Sequence, residues 1–368
     1  MTSRHASGGG RRGVASWIIA SAVAVVLVVA ATVGYLLIIK DHDDSAQGTC
    51  TSQVLLPMVA SPGAAAAITE AAAAFDATAP VARSACVTTT VTTVAGTQAQ
   101  QALAAGWTQQ SSPAPGVWVP DTGADLAALE SADSALTAGR DPTPVATSPV
   151  VLAVRTDDAA AVSAAGLSWA GLAAAGTTGQ GGAVALPAGR HLVLALPDPS
   201  TNRATSYALQ SVLAARTGGT VDAGAVSAAA ADMATIGAGG PQRQPGTTTE
   251  ALTQLAGGTG GFTAVPVVAS DLAAFSRGTP GLTAISPAGG TVGDAVYPVP
   301  LTASWVTPTL KDASALFMAY LRGSGGDTAF TDNGLVPAGG TGQAQPLPDA
   351  GQQVADAIAT AIGASPAG

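Results

Sequence analysis

The sequence predicts an α/β protein that follows a single membrane-spanning helix. Apolar runs typical of buried strands alternate with Ala-rich runs typical of helices along residues 53–362. Clusters of Pro, Gly and Asp separate these runs and mark the turns between them. Residues 14–39 contain no charge and are long enough to cross a bilayer. The strand–helix alternation favours parallel βαβ units in an open sheet.

The composition excludes several classes of function. Charged residues make up 10% of the 368 residues, and the formal net charge is −9. A nucleic-acid-binding protein needs clustered Lys and Arg, which this sequence lacks. Its two lysines, Lys40 and Lys311, do not lie in a phosphate-binding loop motif. A hydrophobic content of 47% is too high for a disordered chain, and the length suits one large domain or two lobes.

The apolar segment 14–39 is predicted to be an uncleaved anchor in the cell membrane. Arg11 and Arg12 precede it and Asp43 and Asp44 follow it, so the positive-inside rule places the N-terminus in the cytoplasm. The main part of the chain then lies outside the cytoplasm. A cleaved signal peptide is the alternative, although its apolar region usually runs only 7–15 residues.

The only two cysteines, Cys50 and Cys86, both fall on the predicted oxidising side of the membrane. Disulfides persist there, so a Cys50–Cys86 disulfide is the favoured interpretation over a metal site or a reactive thiol. Residues 47–49 do not form the small-residue motif of a lipoprotein, so Cys50 is not expected to carry a lipid.

Local patterns predict the order of the elements after Cys50. Strands are expected over Gln53–Ala60, Val87–Val94, Val117–Val119, Val150–Val154, Leu192–Leu196, Thr263–Val268 and Ala295–Leu301. Helices are expected over Ala64–Phe75, Gln98–Ala105, Asp125–Leu136, Ala204–Ala215, Ser270–Phe275, Asp312–Leu321 and Asp349–Ile362.

Catalytic and cofactor signatures are absent from the sequence. His191 is the one histidine expected inside the folded part, and no Gly-x-Ser-x-Gly motif provides a nucleophile for it. Neither an EF-hand nor a dinucleotide-binding motif is present. We therefore expect a binding or interaction protein that is not an enzyme and needs no cofactor or metal.

The order of several segments resembles the extracytoplasmic solute-binding proteins of ABC importers. The similarity is to the two-lobed type II group that includes molybdate-binding proteins, and in particular to a membrane-anchored subgroup of high-GC bacteria. Many members of that subgroup continue into a von Willebrand A domain, which is not expected within these 368 residues. The segments that carry the resemblance are Val59–Pro62, Thr93–Thr97, Gly116–Asp121, Ser148–Val154, Leu194–Pro199, Tyr297–Val299 and Ala315–Gly323.

The resemblance implies a two-lobed type II periplasmic-binding-protein fold behind the transmembrane helix. The expected organisation is a cytoplasmic arm (1–13), the transmembrane helix (14–39), a linker (40–49), lobe 1 (50–145 with 296–337), lobe 2 (146–295) and a linker with a C-terminal helix (338–368).

The resemblance also implies a ligand site between the lobes, where type II proteins bind anions at loops and helix N-termini. Unpaired N–H groups and the helix dipole favour an oxyanion at such positions. We therefore expect capture of a small molecule, an oxyanion being one candidate, and delivery to an ABC permease. The alternative is a cell-surface interaction domain that keeps the fold, contacts another surface protein and binds no small ligand. The candidate ligand-binding residues are Ser61, Thr97, Asp121, Thr201, Asn202, Ala204 and Thr205.

Overall fold

A computed structural model describes residues 50–108, 110–137, 143–172, 184–338 and 346–363. The predicted arm 1–13, transmembrane helix 14–39 and linker 40–49 lie outside these residues. Within the described ranges, no helix has the length and apolar character that a membrane span requires. The described helices and strands all belong to the unit formed by residues 52–368.

The strands and helices of this unit alternate along most of the chain. The strands are β1 (Ser52–Ala60), β2 (Val81–Ala82), β3 (Ala85–Thr93), β4 (Val117–Val119), β5 (Ala146–Arg155), β6 (Ala264–Val268), β7 (Leu282–Ile285), β8 (Gly293–Val296), β9 (Val299–Pro300) and β10 (Val336–Pro337). The helices are α1 (Pro62–Ala77), α2 (Gly96–Ala104), α3 (Gly123–Asp133), α4 (Thr156–Ala164), α5 (Arg203–Thr217), α6 (Ala223–Ala228), α7 (Ala230–Ala238), α8 (Thr248–Ala256), α9 (Ala269–Gly278), α10 (Pro308–Leu321), α11 (Ser324–Asp332) and α12 (Gln352–Ala361).

Lobe 1 is built on a sheet with the strand order β2-β3-β1-β4-β9. Strand β1 runs parallel to β3 and β4, as the strand–helix alternation predicts, while β2 and β9 are antiparallel to their neighbours. Helices α1 and α10 cover one face, where the rings of Phe75 and Phe317 meet edge-on at 5.3 Å between centroids. Residues of α2 and α3, including Leu103 and Leu129, pack with Trp118 in a second apolar cluster.

Lobe 2 is organised around β5, and its strand directions differ from the prediction. Strands β6, β7, β8 and β10 are all antiparallel to β5, where parallel βαβ units were expected. A buried strand has the same apolar pattern in either direction, so alternation alone cannot fix the direction of pairing. The lobe boundaries predicted from the sequence stay a prediction, since β5 begins in the apolar cluster of lobe 1 and continues into that of lobe 2.

The predicted strand over Leu192–Leu196 is wrong. This segment is buried, but it makes only one parallel bridge to β6, between Leu194 and Ala264. The amide of Leu196 donates to Gln244 Oε1 at 2.7 Å, and Pro197 has no amide to donate. Backbone bonds of Val193 and Ala195 with Ala264 form this single bridge, and the Gln244 side chain and Pro197 end the pairing before a regular strand forms.

Two predictions outside the sheets are confirmed. Cys50 and Cys86 are joined by a disulfide. The C-terminal helix forms as α12, whose Val354 and Ile358 belong to the main apolar cluster of lobe 2.

Candidate functional site

A cluster of ion pairs joins the two lobes around Arg203. Arg203 is the first residue of α5 in lobe 2, and its Nη1 lies 3.3 Å from Oδ1 of Asp121 and 3.2 Å from Oδ2 of Asp294. Its Nη2 lies 3.7 Å from Oδ2 of Asp271. Asp121 lies two residues after β4 of lobe 1, whereas Asp271 and Asp294 lie in α9 and β8 of lobe 2. We call these four residues, with Tyr207, the Arg203 cluster.

The Arg203 cluster carries more negative than positive charge. Burial raises the pKa of Asp294 to about 6, although Arg203 and a 2.7 Å hydrogen bond from the Tyr207 hydroxyl lower it. Burial likewise raises the pKa of Asp271. Burial lowers the pKa of Arg203, but its three carboxylate neighbours outweigh this effect and raise it. Arg203 therefore stays cationic, and three carboxylates share a single guanidinium.

The N-terminus of α5 is fixed by its own capping bonds. Asn202 Oδ1 accepts hydrogen bonds from the backbone amide of Thr205 at 3.0 Å and from its hydroxyl at 3.2 Å. The Asn202 side-chain amide donates to Thr248 Oγ1 at 2.9 Å, which ties this turn to α8. Asn is a favoured helix N-cap for this reason. These bonds hold the backbone of Arg203 in place at the edge of lobe 2.

On the lobe 1 side, the loops after β1 and β4 are bonded to each other. The amide of Ser61 donates to the Val119 carbonyl at 2.9 Å, and its hydroxyl donates to the Pro120 carbonyl at 3.3 Å. Ser61 is buried by this arrangement, whereas Thr97 is exposed in the first turn of α2. Asp121 follows Pro120, so the bonds of Ser61 help to set its position.

A cavity of about 200 Å³ borders the cluster and is lined from both lobes. Thr122 contributes from lobe 1, and the α5 N-terminal turn contributes from lobe 2. The C-terminal segment adds Gln352, whose side-chain amide donates to the Ser200 carbonyl at 2.8 Å. Most of the lining residues carry polar side chains, and they come from three separate parts of the chain.

Two larger cavities, of about 420 Å³ and 870 Å³, lie within lobe 2 alone. The first is lined in part by Arg155, Arg190 and His191, and the second by the 239–245 loop. Arg155 and Arg190 already pair with Asp157 and Asp158. We place the candidate site at the Arg203 cluster, because charged groups of both lobes meet only there among the ion pairs of the described residues.

The structure brings together some of the residues predicted from the sequence. Asp121 contacts the α5 turn through its ion pair with Arg203, and Thr201 and Asn202 line the bordering cavity. Ala204 and Thr205 are buried inside α5, so their side chains are part of its core and cap. The ligand-binding role of all seven predicted residues stays a prediction.

Sequence reasoning missed the centre of the cluster. Arg203 lies inside the turn identified as a candidate, and an arginine is uncommon in a chain with 14 basic residues. Its position within the turn was therefore a usable signal. Asp294 and Tyr207 are 87 positions apart in the sequence and meet only through the fold. Within the described ranges, no three His, Cys, Asp or Glu residues are grouped so that they could hold a metal ion.

A two-lobed α/β architecture with polar groups gathered between the lobes defines the periplasmic-binding-protein class. Solved structures with this fold include a sulfate-binding protein SubI from Mycobacterium tuberculosis H37Rv, which is 16% identical with a TM-score of 0.52 over 78% of this chain and 88% of that one. The substrate-binding domain of a putative molybdenum ABC transporter from Clostridium difficile is 13% identical, with a TM-score of 0.51 over 78% and 100% of the two chains. An apo ferric-ion-binding protein A from Pasteurella haemolytica is 12% identical, with a TM-score of 0.50 over 84% and 96%. At these identities the likeness shows the fold alone.

A model of the bacterial extracellular solute-binding protein family matches residues 56–336, which is more than half of the chain. The protein belongs to this family. A comparison with curated proteins finds none that matches. The family assignment confirms the resemblance, assigns solute binding and an extracytoplasmic main domain, and does not favour an interaction domain without a small ligand.

Proposed function

We propose that this protein captures a small solute between its two lobes outside the cytoplasm and delivers it to an ABC permease. One observation carries the proposal: Arg203 at the α5 N-terminus of lobe 2 pairs with Asp121 at the end of β4 in lobe 1. Solute-binding folds close two lobes on a ligand at such a meeting point. We further propose that residues 14–39 anchor the protein in the cell membrane, with the N-terminus in the cytoplasm.

The charges of the cluster support a neutral or cationic solute better than the oxyanion that the family resemblance implies. Asp121, Asp271 and Asp294 face one Arg203, so an anion entering between the lobes meets net negative charge. Charges in a partly dehydrated cleft interact more strongly than charges in water. The polar lining of the adjoining cavity agrees with a small hydrophilic ligand.

Among the predicted residues, we propose that Asp121 and Thr97 contact the solute from lobe 1, and that the buried Ser61 acts indirectly by positioning the loop before Asp121. Thr201 and Asn202 contribute from lobe 2, where they already line the cavity. Ala204 and Thr205 act indirectly by forming the buried first turn of α5. The proposed contacts therefore come from loops and helix starts on both sides of the cleft.

Thermal unfolding of residues 41–368 against a panel of amines, amino acids, sugars, oxyanions and metal ions tests solute capture. A ligand present at about 1,000 times its dissociation constant adds about 4 kcal/mol to the stability of the folded state. For a domain of this size, that corresponds to a rise of several degrees in Tm. A rise with neutral or cationic compounds supports the proposal, whereas a flat response across the panel with a cooperative transition counts against solute capture.

Membrane fractionation tests the anchor separately. The full chain is expected in the membrane fraction, and it should resist extraction by high salt and by alkaline carbonate. A variant that lacks residues 1–39 but carries a cleavable export signal is expected in the soluble exported fraction. If the protein expressed from the full sequence is instead found in the soluble exported fraction without residues 1–39, the segment is a cleaved signal peptide.

A further inference from the structure

We propose that Asp121 is a built-in anion that excludes free oxyanions from the cleft. Its side chain lies beside the first residues of α1 and α2, where the helix dipole would favour a bound oxyanion, and Arg203 of the opposite lobe is its counter-ion. The inference rests on the proposed function, since it concerns which solutes the same cleft admits.

The glycines in the first turns of α1 and α2 show how close the Asp121 side chain lies to these two helix N-termini. A methyl group added at Gly63, the second residue of α1, would lie 3.8 Å from Oδ1 of Asp121. A methyl group added at Gly96, the first residue of α2, would lie 2.8 Å from Cβ of Asp121 and would also overlap the carboxylate of Asp125. Side chains larger than glycine would therefore crowd the acidic groups at these positions.

Helices α1 and α2 have no acidic residue in their own first turns and no side-chain cap. The helix dipole makes such helix starts attractive to an anion. Asp125 is already committed, because its carboxylate accepts bonds from the amide and hydroxyl of Thr122 in the capping box of α3. Among the described residues, the hydrogen bond and the ion pair of Asp121 are both with Arg203 of the other lobe. The charge that α1 and α2 favour is therefore supplied by the chain itself.

The remaining groups near Arg203 reinforce the exclusion. Asp294 lies 3.2 Å from the same Nη1 that contacts Asp121, and Asp271 lies 3.7 Å from Nη2. An oxyanion would have to displace Asp121 from Arg203 and would then face all three carboxylates. Removing the charge of Asp121 while keeping its shape should open both the helix starts and one side of Arg203 to an external anion.

Equilibrium binding of radiolabelled sulfate and molybdate to the full chain in detergent tests this inference. Asp121→Asn should bind at least one of the two anions about tenfold or more tightly than the wild type. Asp232→Asn is the matched control, since Asp232 is as exposed as Asp121 and pairs with Arg216 at 2.9 Å within lobe 2. The control should bind the anions no better than the wild type. Asp121→Ser serves as the second test variant if Asp121→Asn does not unfold cooperatively.

Two results would overturn the inference. One is equal anion affinity in the wild type and both Asp121 variants, and the other is no measurable anion binding by folded Asp121 variants. Both differ from a failure of solute capture, which is judged on the wild type with the full ligand panel. A wild type that binds a neutral or cationic solute, together with Asp121 variants that gain no anion, would contradict the built-in anion alone.

Discussion

The ion pair between Arg190 and the buried carboxylate of Asp158 is expected to contribute strongly to the stability of lobe 2. Asp158, in the first turn of α4, has a fully buried side chain. Arg190 binds it with two parallel hydrogen bonds, Nη1–Oδ2 at 2.8 Å and Nη2–Oδ1 at 2.5 Å. Arg190→Met keeps much of the side-chain length and leaves this buried charge without its partner. Breaking a buried pair in this way costs about 3–5 kcal/mol, and we expect about 3 kcal/mol because Arg190 itself is 37% exposed.

Urea unfolding of residues 41–368 measures this effect, provided that the slope of the free energy with urea is unchanged. Arg216→Met is the matched control: Arg216 is 40% exposed and pairs at 2.9 Å, but its partner Asp232 is 36% exposed. An exposed pair contributes at most about 1 kcal/mol. The double variant Arg190→Met/Asp158→Asn should recover part of the loss, because it removes the unpaired charge. Equal losses in Arg190→Met and Arg216→Met would refute the reasoning.

Three further predictions concern pH, the disulfide and helix packing. The pKa of Asp294 in the folded state is raised to about 6, so this group lowers the free energy of unfolding by about 3 kcal/mol as pH rises from about 4 to about 6. Urea titrations across this range should show that the free energy of unfolding declines less with pH in Asp294→Asn than in the wild type. Replacing Cys50 and Cys86 together by Ser should lower the free energy of unfolding by about 3–4 kcal/mol, and a chemical reductant should lower the wild type to the same value while leaving the variant unchanged. A methyl group at Gly326 of α11 would overlap the Leu321 carbonyl, so Gly326→Ala should destabilise by about 1–3 kcal/mol. Gly123→Ala, with no atom within 4 Å of the added methyl, should change stability by no more than about 1 kcal/mol, and equal midpoints for the two would contradict the packing argument.

Much of lobe 1 could be predicted because its signals are local. The predicted strand over Gln53–Ala60 is observed as β1, Ser52–Ala60, and the predicted helix over Ala64–Phe75 is observed as α1, Pro62–Ala77. The proline after Ser61 marks the helix start by its fixed backbone angle. The predicted strand at Val117–Val119 is observed with the same bounds.

Other elements escaped prediction because their patterns are weak or depend on distant partners. Helices α6, α7 and α8 are short and Ala- and Thr-rich, and their boundaries come from caps such as Asp222 and Thr247 rather than from apolar periodicity. Leu192–Leu196 has the composition of a strand, yet it forms only one bridge to β6, and the amide of Leu196 donates to Gln244, 48 positions away. Such hydrogen-bond partners become visible only once the fold brings distant residues together.

The α/β class, the order of the main elements, the favoured disulfide and the resemblance to solute-binding proteins could be predicted, because periodicity, turn residues and cysteine usage are properties of short segments. The sequence also indicated the two chain regions, around Asp121 and after Pro197, that approach each other between the lobes. The antiparallel pairing around β5 and the assembly of the Arg203 cluster could not be predicted and are seen only in the fold. An ion pair forms wherever the fold leaves opposite charges within a few ångströms, and sequence separation does not encode that distance. The excess of carboxylates around Arg203, and with it the charge of the solute that we propose, therefore follows from the structure.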